Sequence, residues 1–493
     1  MKKDNLVIIM ADQLRYDVLS PELTPNIWSI KSDGIEFTRA YTACPLCVPS
    51  RGAFFTGTYP NRNGSLINPW VEEDKAHGDV REGFDNLYRM MSSEWDVIHS
   101  GKQHLFTAGG KLEDREGFPV RFAATEKTYH EFLKMNGRRN PGGARFKTPV
   151  PEMVGGRKTR LARYSNPSVG CYEEGAEYFY DCYYADRAVD ALKTRDRSRP
   201  LFLSAMFVAP HPPLDIPEPW FSAVSYDDFT LPENVGRFYS FQSPLQMYNL
   251  TGVIGGGYRR DEWKESWRVY LGLVRLLDDQ VGRILSELKS QGLYDESLII
   301  FTSDHGEMLG SHSLYQKMCM YEESSHVPLY MKLPSSCSAS EKAYDGLVSL
   351  IDIVPTLKDY LGFESMNGFD GISLRPYIEG RADCVHDTLF MQYDGNGSRS
   401  NFQRAVLRGN YKLILDMFKD EYFIELYDTV NDREEKENLI FLSDGYDDLA
   451  YEMLGSLRAF MEETGDLIAM PDIDISIFRK EHISIPAKPE LKK

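Results

Sequence analysis

Four short apolar runs recur along the first two thirds of the chain and predict the strands of a mainly parallel sheet. Each run ends in polar residues and helical patterns separate the runs, which is typical of an α/β domain. The runs are Leu6–Met10, Val97–Ile98, Leu201–Val208 and Leu298–Thr302. Because ligands of open α/β sheets bind beyond the carboxyl ends of the strands, the residues after each run are the first candidates for a functional site.

A long amphipathic pattern precedes the fourth run. From Trp263 to Lys289, leucines, isoleucine and valine recur at helical spacing with charged residues between them. This spacing predicts one long helix that packs on the sheet. We therefore predict that residues 1–370 form a large α/β domain, with a mixed and mainly parallel sheet between helices.

The pattern changes at about Asp370. Three stretches (388–393, 402–416 and 421–428) are typical of strands joined by tight turns, and Tyr446–Glu463 is typical of a helix. Residues 371–493 are therefore predicted to form a smaller α+β domain with an antiparallel sheet and an irregular tail from Pro471.

Composition narrows the class of protein. No apolar run approaches the roughly 18 residues of a membrane-spanning helix, and the formal net charge of -18 disfavours nucleic acid as a partner. Seven scattered cysteines are too few for a disulfide framework. The apolar run near the N-terminus is shorter than that of a signal peptide. We expect no membrane partner and a cytoplasmic location for the chain as given, or a periplasmic or secreted one if a leader has been trimmed.

A Cys-x-x-Cys pair, Cys44 and Cys47, lies in the stretch ACPLCVPSRGAFFTG. A redox pair of this kind opens a helix whose N-terminus activates the thiols. A structural zinc site needs a second pair, and the sequence has none. A redox or non-catalytic protein is one hypothesis, and it predicts a thiol at residue 47 without a bound metal.

The residues from the second cysteine onwards favour a different interpretation of this segment. Cys47-Val48-Pro49-Ser50-Arg51, followed by an apolar pair and Thr-Gly, resembles the signature of the formylglycine-dependent (type I) sulfatases of the alkaline phosphatase superfamily. The resemblance implies that a formylglycine-generating or sulfatase-maturating enzyme converts Cys47 to Cα-formylglycine, whose hydrated aldehyde attacks sulfur. It implies that Arg51 stabilises this group, and it leaves Cys44 with a packing role.

The resemblance also implies a metal site. Asp12 and Gln13 follow the first run and Asp304 and His305 follow the last, and with Cys47 they match the order of the family's metal ligands. Many members have Asp in place of Gln13 and Asn in place of His305, with Ca²⁺ bound. Ca²⁺ is the leading expectation, but a histidine ligand is softer than an oxygen, so Mn²⁺ or Mg²⁺ remain alternatives.

Three further segments resemble motifs of the family. In SGKQHLF, Lys102 would contact the sulfate and His104 would be the base that drives its release. In APHPP, His211 would protonate the leaving alcohol, and after the last metal pair Lys317 would contact the sulfate oxygens. His312 and His326 lie in the same segment as Lys317 and are either pocket residues or solvated.

The sequence thus predicts hydrolysis of a small-molecule sulfate monoester. Phosphonate monoester and phosphodiester hydrolases are the main rival, since they share the fold and the metal set, but that subgroup has hydroxyl side chains where this chain has Lys-x-His. Two basic stretches, 138–147 and 157–163, are either solvated loops or a rim for a carboxylated or sulfated saccharide. Choline sulfate is a further alternative, although its cation prefers an aromatic or acidic pocket.

Overall fold

The computed structural model describes residues 3–69, 75–154, 158–366, 368–397 and 399–480. Its strands are β1 (Asn5–Asp12), β2 (Ile35–Phe37), β3 (Ala40–Tyr41), β4 (Asp96–Gly101), β5 (Phe106–Thr107), β6 (Gly110–Lys111), β7 (Arg121–Ala124), β8 (Lys147–Val154), β9 (Lys158–Ser165), β10 (Val169–Cys171), β11 (Leu201–Pro210), β12 (Leu214–Ile216), β13 (Ser297–Ser303), β14 (Leu329–Lys332), β15 (Ala343–Tyr344), β16 (Val348–Ser349), β17 (Thr388–Tyr393), β18 (Phe402–Arg408), β19 (Tyr411–Phe418) and β20 (Glu421–Asp428). Its α-helices are α1 (Pro25–Asp33), α2 (Cys47–Thr56), α3 (Pro60–Asn63), α4 (Lys75–Gly78), α5 (Leu87–Met91), α6 (Glu126–Met135), α7 (Tyr180–Lys193), α8 (Leu250–Gly255), α9 (Arg260–Ser290), α10 (Glu322–Ser325), α11 (Ile353–Leu361), α12 (Arg375–Ile378), α13 (Leu439–Leu442), α14 (Asp447–Glu463) and α15 (Ile477–Lys480).

An eight-stranded mixed sheet forms the larger part of the fold. Its strand order is β15-β2-β14-β13-β1-β11-β4-β7. The run from β13 to β7 pairs in parallel, whereas β14 is antiparallel to both β13 and β2. The four predicted apolar runs lie in β1, β4, β11 and β13, so the prediction of a mixed, mainly parallel sheet is confirmed.

The central strand β1 is buried on both faces. Val7, Ile9 and Ala11 belong to one apolar cluster, which also contains the inner face of α9. Leu6, Ile8 and Met10 belong to a second cluster, on the other side of the sheet, together with apolar residues of α2 and α11. Since successive side chains of a strand point to opposite faces, this division places the sheet between two helical layers.

The predicted long helix is α9, which begins three residues before Trp263 and ends one residue after Lys289. Its apolar positions are buried, and it packs against α1, α7 and β11. In the described ranges, no helix combines the length and the apolar character that crossing a membrane requires.

A separate four-stranded antiparallel sheet follows, in the order β17-β18-β19-β20, and confirms the predicted C-terminal α+β architecture. Val406, Leu413 and Leu415 on one face pack with apolar residues of α14. Ala405 and Ile414 on the other face join the large cluster that contains α9. The boundary near residue 370 stays a prediction, and the end of the predicted tail, residues 481–493, lies outside the described part.

Two buried carboxyl groups of the small sheet predict a pH dependence of stability. Asp416 accepts a hydrogen bond from Ser243 Oγ at 2.7 Å, and Glu425 accepts one from the Tyr321 hydroxyl at 2.6 Å. Burial raises the pKa of each carboxyl group to about 7, against roughly 4 in an unfolded chain. The native state keeps these protons while the unfolded chain loses them, so the free energy of unfolding falls as pH rises between these two values.

We expect Asp416→Asn to make this fall less steep, by up to about 1.4 kcal/mol per pH unit, because it removes one of the two groups. Urea unfolding curves between about pH 5 and pH 7 measure the slope. Asp190→Asn, which removes an exposed carboxylate of α7, is the control and should leave the slope unchanged. Equal slopes for the wild type and Asp416→Asn would contradict the prediction.

Candidate functional site

The ends of two neighbouring strands bring the predicted metal residues together. Asp12 ends β1, and Asp304 and His305 directly follow β13. The strands are parallel, with Ala11 opposite Ser303, so both carboxylates emerge at the same edge of the sheet. The side chains of Asp12, Asp304 and His305 are fully buried.

Cys47 reaches this edge from the first turn of α2. The backbone N–H of Val48 donates to Asn68 Oδ1 at 3.1 Å, which satisfies one of the free donors at the helix start. The Cys47 Sγ lies 3.1 Å from His305 Nε2 and 3.7 Å from Asp12 Oδ1. The predicted nucleophile position therefore lies directly against the predicted metal ligands.

Positive groups surround the Cys47 thiol. Burial alone would disfavour a thiolate, but nearby cationic groups outweigh this effect and hold the pKa of the Cys47 thiol well below its usual range. In decreasing order of effect, these groups are Lys317, His305 and Lys102. The site is thus built to hold negative charge at residue 47.

Arg51 lies one helical turn after Cys47 and on the same face of α2. Its Nε donates to Asp304 Oδ2 at 2.9 Å, and its Nη2 donates to Asp12 Oδ2 at 3.2 Å. Its Nη1 donates to the backbone oxygen of Lys102 at 2.7 Å. One fully buried guanidinium thus fixes α2, both carboxylates and the segment after β4 relative to one another.

Lys102 enters the site through a turn that requires glycine. Gly101 has φ 116°, and a Cβ on it would lie 1.8 Å from the Met206 carbonyl oxygen of β11. The adjacent backbone N–H of Lys102 donates to that same oxygen at 2.9 Å. The Lys102 Nζ then lies 2.5 Å from Asp12 Oδ2, at the centre of the site.

Gln13, His211 and Lys317 form a second connected group. The Lys317 Nζ donates to Gln13 Oε1 at 2.6 Å and lies 3.2 Å from His211 Nε2. The Nδ1 of His211 lies 2.6 Å from the Pro212 carbonyl oxygen. Burial, and then the positive charges of Lys317 and Lys102, lower the pKa of His211 to about 4.

Several side chains of the site stand on backbone that L-residues rarely adopt. Gln13 has φ 68°, His104 has φ 46°, and Lys317 is flanked by Gln316 at 69° and Met318 at 78°. Such left-handed conformations are strained for non-glycine residues and are found where a site fixes the direction of a side chain.

The donor set fits a divalent cation. One potential ligand atom from each of Asp12, Cys47, Asp304 and His305 lies within 4.8 Å of the other three, and all four residues are buried. The His305 Nδ1 lies 3.0 Å from the Gly306 carbonyl oxygen, which leaves Nε2, the nitrogen facing Cys47, free to bind a metal. Burial and the neighbouring Asp12 raise the pKa of Asp304, and a cation would relieve this repulsion.

Sequence reasoning missed residues that hold these groups in place. The carboxylate of Glu307 accepts from the side chain of Gln13 and from the backbone N–H groups of Leu309 and Gln316. Glu126, at the start of α6, lies 3.2 Å from His104 Nε2. Glu307 is three residues after Asp304 and could have been suspected, whereas nothing in the sequence links Glu126 to His104.

Two arginines of the first basic stretch lie against carboxylates. Arg139 pairs with Asp215 at 2.7 Å, and Arg138 lies 3.5 Å from Glu174. In the second stretch, Arg160 donates to the Gly397 carbonyl oxygen at 2.9 Å and Arg163 is exposed. Arg157 lies outside the described residues.

The two undecided histidines are part of buried networks. His312 stacks on Tyr321 with ring centroids 4.0 Å apart, and its Nε2 lies 2.9 Å from the Glu434 carbonyl oxygen. His326 lies 2.9 Å from Glu322 and stacks on Tyr16. These contacts account for both rings through packing and hydrogen bonding.

Comparison with known proteins agrees with this arrangement. The family described as Sulfatase matches residues 4–363, and the family described as N-sulphoglucosamine sulphohydrolase, C-terminal, matches residues 310–463. An arylsulfatase of Clostridium perfringens is 26% identical over 476 residues, which cover 89% of this chain and 93% of that protein.

Two solved structures share the fold. The phosphonate monoester hydrolase of Agrobacterium radiobacter has a TM-score of 0.74 at 22% identity and covers 94% of this chain and 96% of its own. BT4656, solved in complex with its substrate D-glucosamine-2-N,6-O-disulfate, has a TM-score of 0.70 at 18% identity and covers 94% of this chain and 99% of its own. With the Sulfatase match spanning most of its length, the chain belongs to the sulfatase family of the alkaline phosphatase superfamily and is a hydrolase of the sulfatase type.

Proposed function

We propose that the protein removes sulfate from a sulfated saccharide, with a formylglycine made from Cys47 as the nucleophile and one divalent metal ion. One observation carries the proposal: residue 47 lies buried against Asp12 and His305, inside a ring of cationic side chains. A sulfate ester is an anion, and its hydrolysis needs a nucleophile at sulfur with fixed positive charge around the non-bridging oxygens.

The burial of Cys47 supports modification before folding. Cys47 is 3% exposed and lies in the first turn of α2, so the folded chain offers no extended segment to a modifying enzyme. We infer that a formylglycine-generating or sulfatase-maturating enzyme acts on the unfolded segment from Cys47 to Arg51. The hydrated aldehyde would supply a hydroxyl nucleophile and a route for releasing the sulfate that a thiol lacks.

Asp12, Gln13, Asp304, His305 and residue 47 would hold the metal ion. Three of these residues offer carboxylate or amide oxygens, which suits Ca²⁺ or Mg²⁺, and the imidazole of His305 also suits Mn²⁺. Ca²⁺ is our leading proposal. When bound, the ion would supply positive charge beside the sulfate oxygens.

The remaining groups bind the sulfate and move protons. Lys102 and Lys317 would contact the sulfate oxygens, and Arg51 would keep residue 47 and both carboxylates in register. His211 has a lowered pKa of about 4, so its ring is neutral in the free site. A bound sulfate ester would offset the charge of Lys317 and favour protonation of His211, which could then donate that proton to the leaving alcohol.

Phosphonate monoester or phosphodiester hydrolysis is the second candidate, because the pairs Asp12-Gln13 and Asp304-His305 are the set expected for those enzymes. The buried ammonium of Lys102, together with His104, favours the sulfatase. Both activities use the same nucleophile position, so only measurement of both ranks them.

A saccharide substrate is supported from two directions. Residues 310–463 match a family described as the C-terminal part of N-sulphoglucosamine sulphohydrolase, and BT4656 was solved with a disulfated glucosamine. Arg160 and the exposed Arg163 on the hairpin β8–β9 provide positive charge for a carboxylate or second sulfate.

A substrate panel tests the proposal. We expect kcat/KM for sulfated mono- or disaccharides to exceed that for choline sulfate and for a phosphonate monoester by at least about tenfold, because the site offers cations rather than an aromatic cage. The measurement is sulfate or alcohol release by metal-loaded protein from a host that makes formylglycine. A higher kcat/KM for the phosphonate monoester would favour the second candidate, and a higher value for choline sulfate would refute the saccharide.

A further inference from the structure

We propose that Glu126 is a positioning residue that fixes the protonation geometry of His104, a role that rests on the proposed function of His104 as the base. Glu126 lies in the first turn of α6, and its Oε2 is 3.2 Å from His104 Nε2. The contact joins two segments that are 22 residues apart in the sequence, on either side of β5, β6 and β7.

The two nitrogens of the His104 ring have different surroundings. Nε2 faces the Glu126 carboxylate, which accepts hydrogen bonds but cannot donate them when ionised. Nδ1 is buried and, among the described residues, lacks a hydrogen-bond partner of good distance and angle. The proton of a neutral His104 therefore resides on Nε2, and Nδ1 carries the free lone pair.

The free nitrogen is available to residue 47. His104 is close enough to Cys47 for the two side chains to interact. Since Nε2 is occupied by Glu126, Nδ1 is the nitrogen that can take a proton from a hydroxyl at residue 47. In that step the O–H bond breaks, an N–H bond forms at Nδ1, and the ring becomes an imidazolium whose Nε2–H still donates to Glu126.

The charges around the pair support this geometry. Burial and the positive charge of Lys102 disfavour an imidazolium at His104, whereas the Glu126 carboxylate favours it through its charge and its hydrogen bond. For the Glu126 carboxyl, His104 and Lys102 outweigh its burial and hold its pKa far below the usual range. Glu126 thus stays ionised near neutral pH, where its carboxylate can only accept hydrogen bonds.

The pair is also connected to solvent. The side chain of His104 is 24% exposed and that of Glu126 is 37% exposed, so a proton taken up by the ring can be returned to water without passing through an occupied sulfate site. Lys111 and Glu113 line the same small recess beside the pair, and Lys102 is a further charged group close to both side chains.

The direct test is the tautomer of His104, read from two-dimensional ¹H–¹⁵N spectra of ¹⁵N-histidine-labelled protein. Cys47→Ala protein is suitable, because it has no thiolate beside the ring and the test then does not depend on sulfatase activity, and His104→Asn in the same background assigns the signal. We expect Nε2–H in this protein and, in the same background, in Glu131→Ala, the matched control on the exposed face of α6. We expect Glu126→Ala to lose this preference. An unchanged tautomer in Glu126→Ala would overturn the proposal.

Kinetics on the modified enzyme give a second readout. We expect Glu126→Ala to lower kcat for 4-nitrophenyl sulfate by about 10²-fold with little change in KM, because substrate binding groups are untouched. Glu126→Gln keeps an acceptor of the same shape without the charge, so its kcat should lie between those of the wild type and Glu126→Ala. This variant should also move the acidic limb of the plot of kcat against pH to lower pH. Wild-type kcat and an unmoved limb in both variants would also overturn the proposal. An inactive wild type would count against the proposed function, while the tautomer would still decide the role of Glu126.

Discussion

Replacing Cys47 by alanine is expected to lower kcat/KM for a sulfate ester by at least about 10⁴-fold, the largest effect of any single substitution in this protein. The reason is chemical, because Cys47 is the precursor of the proposed nucleophile and none of the cations around it can attack sulfur. The folded structure should tolerate the change, since the side chain removed is small. The measurement is release of 4-nitrophenol from 4-nitrophenyl sulfate, with thermal unfolding as a check of folding.

Cys44→Ala is the matched control, because the two cysteines share one short segment. Cys44 is fully buried, and burial raises the pKa of its thiol well above the usual range, so we expect it to have only a packing role. We expect this variant to keep its activity. Peptide mass spectrometry of the wild type should find an aldehyde at residue 47. A plain thiol at residue 47 in fully active protein would contradict the formylglycine mechanism, and loss of activity in Cys44→Ala alone would revive the redox hypothesis.

Replacing Asp304 by asparagine is expected to lower kcat/KM by about 10³-fold through loss of the metal. The substitution keeps the shape of the side chain but removes a carboxylate that pairs with Arg51 at 2.9 Å and belongs to the four-residue donor cluster. Metal content per chain, measured by inductively coupled plasma mass spectrometry, should fall in parallel with activity. Chelation by EDTA should do the same to the wild type.

A thermal measurement separates metal loss from misfolding. A cation that binds only the native state raises its stability, so EDTA should lower the Tm of the wild type but leave that of Asp304→Asn nearly unchanged. Asp190→Asn, on the surface of α7, should behave as the wild type. Full metal content with full activity in Asp304→Asn would remove this residue from the site.

Strands and helices were predictable wherever the pattern of apolar and polar residues was clear. β1, β11 and β13 are short apolar runs that end in polar residues, and α9 has an uninterrupted apolar stripe. Parallel strands place their carboxyl ends at one edge, so the pattern predicted Asp12 and Asp304 at the same edge of the sheet, and the resemblance to the family's metal ligands predicted that they come together.

Contacts between distant segments were not predictable in the same way. Glu126 lies beside His104 because the turn into α6 returns to the end of β4, and Glu307 holds Gln13 through a segment that follows β13. Glutamates in polar stretches are common in any sequence and most are solvated. The residue type of Glu126 therefore did not indicate that it contacts His104. The basic residues show the converse, since Arg138 and Arg139 suggested a rim for anions but lie against carboxylates.

The sequence by itself predicted the chemistry at residue 47, because the motif from Cys47 to Arg51 is a local run of residues, which lies in the first two turns of α2. It also determined which strand ends carry acids. Only the tertiary structure decided which of these groups are in contact. Arg51 bridges both carboxylates, and Lys317 contacts both Gln13 and His211. Glu126 lies against one nitrogen of His104. The local order of residues determines which chemical groups the chain carries. The protonation state and charge of those groups depend on neighbours that are brought close only by the packing of the sheet and its loops.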